Sequence, residues 1–355
     1  MIRSFIVCLA LLLTGACQAA EPPLSIAAQG SFFVGGHDVH STHLATVPNF
    51  GTDGTITIDQ VYVHYQIPAT AKPGPPITFI HGCCLTGKTW ETTPDGRMGW
   101  DEYFLRKGFP VYLIDQAERG RSAASPVAIN SVKTGDASPD SLPMLFSAGH
   151  EAAWVIFRFG PEYPRTFPGL LFPIEAQAEM WKQMVPDWAP SLPTPNPTVA
   201  GLTELGQRLK GTVLVSHSQS GIYPFQAAQA SREGIAAIIA IEPGACPAPD
   251  SDMGPYAGLP VLLVWGDHVE ESPRWAPRLK SCRAFVEAAN RAGGRVELLV
   301  LPEIGIKGNS HMLMQDRNSQ QVADILIDWI GRRVHVAAAE TGRDSDLVGH
   351  SLDRN

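Results

Sequence analysis

The sequence has no surplus of positive charge. Lysine and arginine total 27 against 35 aspartate and glutamate, a formal net charge of −8. Nothing electrostatic therefore favours nucleic acid or an anionic membrane surface as a partner. The N-terminal apolar stretch Phe5–Leu13 falls well short of the roughly 20 residues that a spanning helix needs, so no stable membrane span is expected there. Internal repeats are missing. Cysteine is scarce, with 6 in the chain. No further Cys or His pair with ligand spacing stands near the adjacent Cys83 and Cys84, so no metal site is expected there, and no organic cofactor is called for. Charged residues make up only 17% and hydrophobic residues 44%, which is globular composition. The 355 residues suit one large α/β domain with an insertion, or two smaller ones.

Residues 1–20 read as a secretory signal. Arg3 supplies the positive start, Phe5–Leu13 the apolar stretch, and "TGACQAA" the small residues for cleavage near Ala19 or Ala20. Cys17 offers a second reading, a lipid-anchored N-terminus at the outer membrane. Thr14 stands where such signals usually carry a larger aliphatic, which ranks it lower. Export to the periplasm or the medium implies an oxidising compartment. It leaves Cys83, Cys84, Cys246 and Cys282 in the mature chain.

Strand signals follow. "SFFVGG" and Thr55–Tyr65, "TITIDQVYVHY", alternate apolar and polar residues, the latter as two short runs joined near Asp59–Gln60. They predict an antiparallel start to a sheet. The rhythm then changes to short continuous apolar runs at Pro76–Ile80, Pro110–Ile114, Thr212–Val215, Ala236–Ile241, Val261–Trp265 and Val296–Leu301. Such runs fit strands buried on both faces of a parallel sheet. Helical patterns at Trp100–Lys107, Ile222–Glu233, Pro277–Ala292 and Gln315–Ile330 lie among them, the last with Gly331 as its stop. Alternation of this kind predicts an α/β domain with a mainly parallel sheet flanked by helices.

One region breaks the alternation. Ala123–Leu209 is too long for one crossover and is rich in proline and aromatics, with a helical pattern at Ile174–Met184. Long excursions inside compact domains are usually functional, and a cap over the active site is the expected role. The expected organisation is a signal peptide at 1–20, core at 21–122, cap insertion at 123–209, core at 210–334 and a polar tail at 335–355.

The stretch Val215–Gly221, "VSHSQSG", sits between an apolar strand and a helix, the context of a nucleophile elbow. There the residues two before and two after the nucleophile must be small, as in G-x-S-x-G. Ser216 and Ser220 fill those places, which makes Ser218 the candidate nucleophile. His81–Gly82–Cys83–Cys84 follows an earlier strand, where hydrolases of this architecture place one oxyanion donor. The backbone N–H groups of Cys83 and Gln219 are the candidate pair, each donor worth about 3 kcal/mol. His311 lies past the last strand, where the base belongs. His217 is too near Ser218 in the chain, and His268 is a weaker alternative. Glu242 and Asp267 each end a buried strand, and either could be the acid.

The pieces "SFFVGG", "HGCCLTGKTWETTPDGRMGW", "DQAERGRS", "SHSQSG", "IEPG" and "GNSHMLMQDRNS" resemble the α/β-hydrolase superfamily. More narrowly they resemble the esterase 713-like secreted bacterial esterases, which carry two adjacent cysteines beside the oxyanion hole. The resemblance covers most of the mature chain. It implies a catalytic glutamate after the strand that follows the nucleophile, which favours Glu242 over Asp267, and it implies a Cys83–Cys84 bond. Ser220 and Glu118 depart from it, each standing where glycine is common. A Cys246–Cys282 bond would tether the loop after Glu242, and disulfides of this loop length contribute about 2–4 kcal/mol. The expected activity is hydrolysis of a small-molecule carboxylic ester through an acyl-enzyme at Ser218. Lactone or amide hydrolysis, acyl transfer, and a non-catalytic secreted binding protein are the alternatives.

Overall fold

The computed structural model of the chain describes residues 22–334. The expected signal segment, the Cys17 alternative and the tail at 335–355 lie outside the described residues. Eight strands form one sheet: β1 (Ile26–Ser41), β2 (Gly54–Pro68), β3 (Ile77–Ile80), β4 (Val111–Asp115), β5 (Thr212–His217), β6 (Ile235–Ile241), β7 (Pro260–Trp265) and β8 (Arg295–Val300). Their order across the sheet is β1-β2-β4-β3-β5-β6-β7-β8. β1 and β2 are antiparallel to each other and β2 is antiparallel to β4, while every pair from β4 to β8 is parallel.

Side chains alternate across the parallel strands, so the continuous apolar runs feed two cores. Ile80, Leu214, Ile238 and Leu263 face one of them, and Phe79, Val215, Ile239 and Val264 the other. The first core is closed by α5 (Thr198–Arg208), α6 (Tyr223–Ala230) and α7 (Ala276–Arg291). The second is closed by α1 (Trp100–Arg106) and α8 (Ser319–Arg333). Between β4 and β5 the insertion carries α2 (Val127–Thr134), α3 (His150–Ile156) and α4 (Gln177–Lys182) before α5. Trp154 and Met180, from α3 and α4, are buried in the second core, so the insertion is packed onto the body of the domain. α5, at its end, packs on β1, β2 and α6.

Two sequence expectations are corrected. β2 does not turn near Asp59–Gln60. It is one strand paired with β1 along its length, and the pairing skips Gly36 and Asp59. Asp59 has φ 63°, facing Gly35 and Gly36 at φ 63° and 85°, so the break in alternation is a local kink inside a ladder. Gly331 does not stop the last helix, which runs on to Arg333. It also starts later than expected. The Asp316 carboxylate accepts bonds from Ser310 N, Ser310 Oγ and Asn309 Nδ2, which holds this stretch as the turn beneath His311.

Cys246 and Cys282 are bonded across a Cα separation of 5.2 Å, fixing the loop after Glu242 to α7. Cys83 and Cys84 are joined to each other. Ellman titration of the denatured, unreduced mature protein is expected to find no free thiol. Four thiols per chain would refute both bonds. Among the described residues no helix is long and apolar enough to cross a membrane.

Candidate active site

Ser218 is the first residue after β5. It has φ 58°, a left-handed conformation that costs a non-glycine residue roughly 1–2 kcal/mol. A short 3-10 turn, Ser218–Ile222, leads from it into α6. Ser220 explains how serine replaces the usual glycine here. Its hydroxyl accepts from His217 N and shares its one proton between His217 O at 3.0 Å and Ile80 O at 3.1 Å, fastening the elbow to the end of β3. Gly82 cannot be enlarged, because a Cβ there would lie 2.8 Å from Ser218 Cβ and 2.8 Å from His217 Nδ1. Cys83 N–H has no acceptor among the described residues. Gln219 N–H lies in the first turn, ahead of the bonds a helix makes to itself.

Glu242 directly follows β6, also with positive φ (49°), and its N–H is bonded to Val264 O at 2.8 Å. Its carboxylate takes four contacts. His311 Nδ1 lies 3.1 Å from Oε2, and Gly266 N donates to Oε1 at 2.6 Å. Arg158 forks onto both oxygens, at 2.7 and 2.5 Å. Burial opposes ionisation of Glu242, but the Arg158 charge and the His311 and Arg158 hydrogen bonds outweigh it and bring the pKa to about 2. Asp267, the other candidate acid, makes no bond to the His311 ring among the described residues. Its carboxylate caps Gly308 N and His268 N, and its carbonyl accepts from Arg158 Nε.

The His311 ring lies against Trp275, with centroids 4.0 Å apart, and has Phe157 at 6.3 Å. It is fully buried. Burial lowers its pKa to about 4, since the hydrogen bond it donates to Glu242 only partly restores it and the Arg158 charge adds to the depression. Nε2 is buried without a hydrogen-bond partner. The His217 and His311 rings are 4.7 Å apart, and His217 Nε2 meets His311 O at 2.9 Å, which seats the His311 loop beside the elbow. No hydrogen bond joins Ser218 Oγ to His311 Nε2; a nucleophile and its base often approach closely only in the Michaelis complex. His268 stacks on Phe167 and pairs with Glu271, away from this cluster.

Three residues here have no place in the sequence reading. Arg158 and Phe157 come from the insertion, just after α3, and Trp275 precedes α7. The same insertion segment accepts His311 N at Phe157 O (2.9 Å) and Trp275 Nε1 at Ile156 O (2.8 Å). The insertion thus holds the histidine and the acid directly. Cys83, Cys84 and Asp187 form the one cluster of potential metal ligands among the described residues. Its two sulfurs are bonded together, and Asp187 is already paired with Arg119, so it offers no thiolate.

No family model matches the chain. A solved structure described as a novel bacterial esterase is 62% identical to it, superposes with a TM-score of 0.87, and is matched over 98% of its length and 89% of this chain. A probable secreted lipase from a fungal species (strain ATCC 74256) is 27% identical over an alignment 323 residues long, gaps included, and the match covers 77% of this chain and 86% of that protein.

Proposed function

We propose, for a chain that belongs to the bacterial esterases of the α/β-hydrolase superfamily and so hydrolyses carboxylic esters, a serine mechanism run by Ser218, His311 and Glu242. His311 Nε2 takes the Ser218 proton as Oγ attacks the ester carbonyl. The oxygen, now negative, is received by the N–H groups of Cys83 and Gln219. The imidazolium returns the proton to the departing alcohol, leaving an acyl-enzyme. Water, deprotonated by His311, then releases the acid. Glu242 holds Nδ1 and balances the imidazolium charge. The Cys83–Cys84 bond stiffens the backbone that carries the first N–H. The observation that carries this reading is the His311–Glu242 bond at 3.1 Å, with Nε2 left unpartnered beside the Ser218 elbow. A fluorophosphonate probe is expected to add once per chain at Ser218, read by peptide mass spectrometry. No adduct at Ser218 would end the proposal.

The depressed His311 pKa has a consequence for pH dependence. The base must be neutral, and a pKa near 4 keeps it neutral through mildly acidic solution. The acid limb of kcat/KM, which reports the free enzyme, is therefore expected near pH 4. Activity on p-nitrophenyl acetate should stay on its plateau down to about pH 5. A limb centred at the ordinary imidazole value of 6.5 would mean that water reaches the ring.

Export is part of the same reading. The similarity to a secreted lipase and the Cys246–Cys282 bond both fit an oxidising compartment outside the cytoplasm. Residues 123–209 are read as a cap insertion that also braces the site, with α5 at its end packed on β1, β2 and α6.

A further inference from the structure

We propose that Arg119 is a positioning residue for the oxyanion hole, fastening both of its halves through one guanidinium. This rests on the serine mechanism above.

Arg119 follows β4, between Glu118 and Gly120, which have φ 64° and 49°. It is buried, at 3% exposure, where a charge needs full compensation. Nη1 donates to Gly82 O at 2.9 Å. Nη2 donates to Gln219 Oε1 at 2.6 Å and forms an ion pair with Asp187. Asp187 Oδ2 in turn accepts from Gln219 Nε2 at 2.9 Å, so the Gln219 side chain is held at both ends of its amide.

The Gly82 bond matters most. Gly82 C=O and Cys83 N–H belong to one planar trans peptide, so they point in opposite directions. Fixing the oxygen fixes the direction of the hydrogen. Gly82 O also accepts from His81 Nδ1 at 2.9 Å. Gln116 N–H donates to His81 Nε2, which leaves the ring proton on Nδ1 for that bond. Two donors on the oxygen also polarise the peptide and strengthen its N–H as a donor. Because Asp187 cancels most of the arginine's charge, the effect on the oxyanion comes from orientation rather than from a bare cation.

Arg119→Lys keeps a charge opposite Asp187 but loses the fork that reaches both partners. It is expected to lower kcat about 10- to 100-fold, with KM changed less than about threefold. A trifluoromethyl ketone, which adds to Ser218 as a tetrahedral oxyanion, should weaken by the same factor as kcat/KM. The double variant Arg119→Met/Asp187→Leu removes the buried pair together and so keeps a folded protein to measure. It should show the same loss without a lower Tm. Guanidinium ion added to Arg119→Ala should restore part of the rate. A folded double variant with wild-type kcat would overturn the inference, as would ketone affinity that stands while kcat and Tm fall together. If wild-type protein takes no fluorophosphonate at Ser218, the serine mechanism fails. If it is labelled and Arg119→Lys keeps its kcat, only the role of Arg119 fails.

Discussion

Ser218→Ala is expected to lower kcat on a p-nitrophenyl ester by about 10⁵- to 10⁶-fold, the scale at which a triad acting as a unit is lost. Stability should change little by comparison. Among the described residues Ser218 Oγ has no hydrogen-bond partner that alanine would forfeit, and the side chain is small and buried. The backbone gives a sharper version of the test. At φ 58° alanine keeps the left-handed strain while glycine removes it. Ser218→Gly should therefore be as inactive as Ser218→Ala yet more stable by about 1 kcal/mol, measured as a higher urea midpoint at equal m. Residual turnover within tenfold of wild type in either variant would remove Ser218 from the chemistry.

Arg158→Met carries the second large effect. Methionine fills similar space but leaves the Glu242 carboxylate buried without its cation. Losing one partner of a buried pair costs about 3–5 kcal/mol. The pH dependence of that loss follows from the two shifts that Arg158 helps to set. Glu242, folded pKa about 2, lies below its unfolded value, so in the wild type its contribution is complete above the unfolded carboxylate pKa and fades only as pH falls through about 2. His311, folded pKa about 4, is held neutral, and its contribution is complete above 6.5 and fades as pH falls toward 4. Without Arg158 both pKa values rise. Burial then disfavours ionised Glu242, and His311 gains a proton more readily. The stability deficit of the variant should grow from pH 5 to pH 8, and its acid limb in kcat/KM should move above that of the wild type. Equal deficits at the two pH values, with an unmoved limb, would show that Arg158 does not govern the pair.

The sheet was legible because strands buried on both faces leave no room for polar residues. Each apolar run from Ile77 to Val300 became a parallel strand. The edge was harder to read. Asp59 interrupts a period-two pattern much as a turn would, and only the opposing glycines at 35 and 36 let the ladder continue. α5 escaped notice because it closes a proline-rich insertion and contains Gly201, whose missing side chain lets it lie on Val61 and Val34. At the site, Glu242 stands out in the sequence as a lone charge after the six apolar residues 236–241. The same signal stood in "WVIFRFG", where Arg158 sits among Trp154, Phe157 and Phe159. Matching two isolated opposite charges, each lodged in apolar sequence, would have found the pair. Trp275 had no such mark, since a tryptophan before a helix reads as ordinary core.

The insertion's double attachment limits what laboratory recombination can do with this enzyme. Phe157 and Arg158 grip His311 and Glu242, while Asp187 pairs with Arg119, which holds Gly82 and Gln219. A chimaera that imported another enzyme's lid in place of this segment would remove all three grips at once and arrive inactive, whatever substrate the new lid suited. Leu142, Met144 and Leu145, exposed on the same insertion, carry none of those contacts, so exchanges there leave the three grips in place.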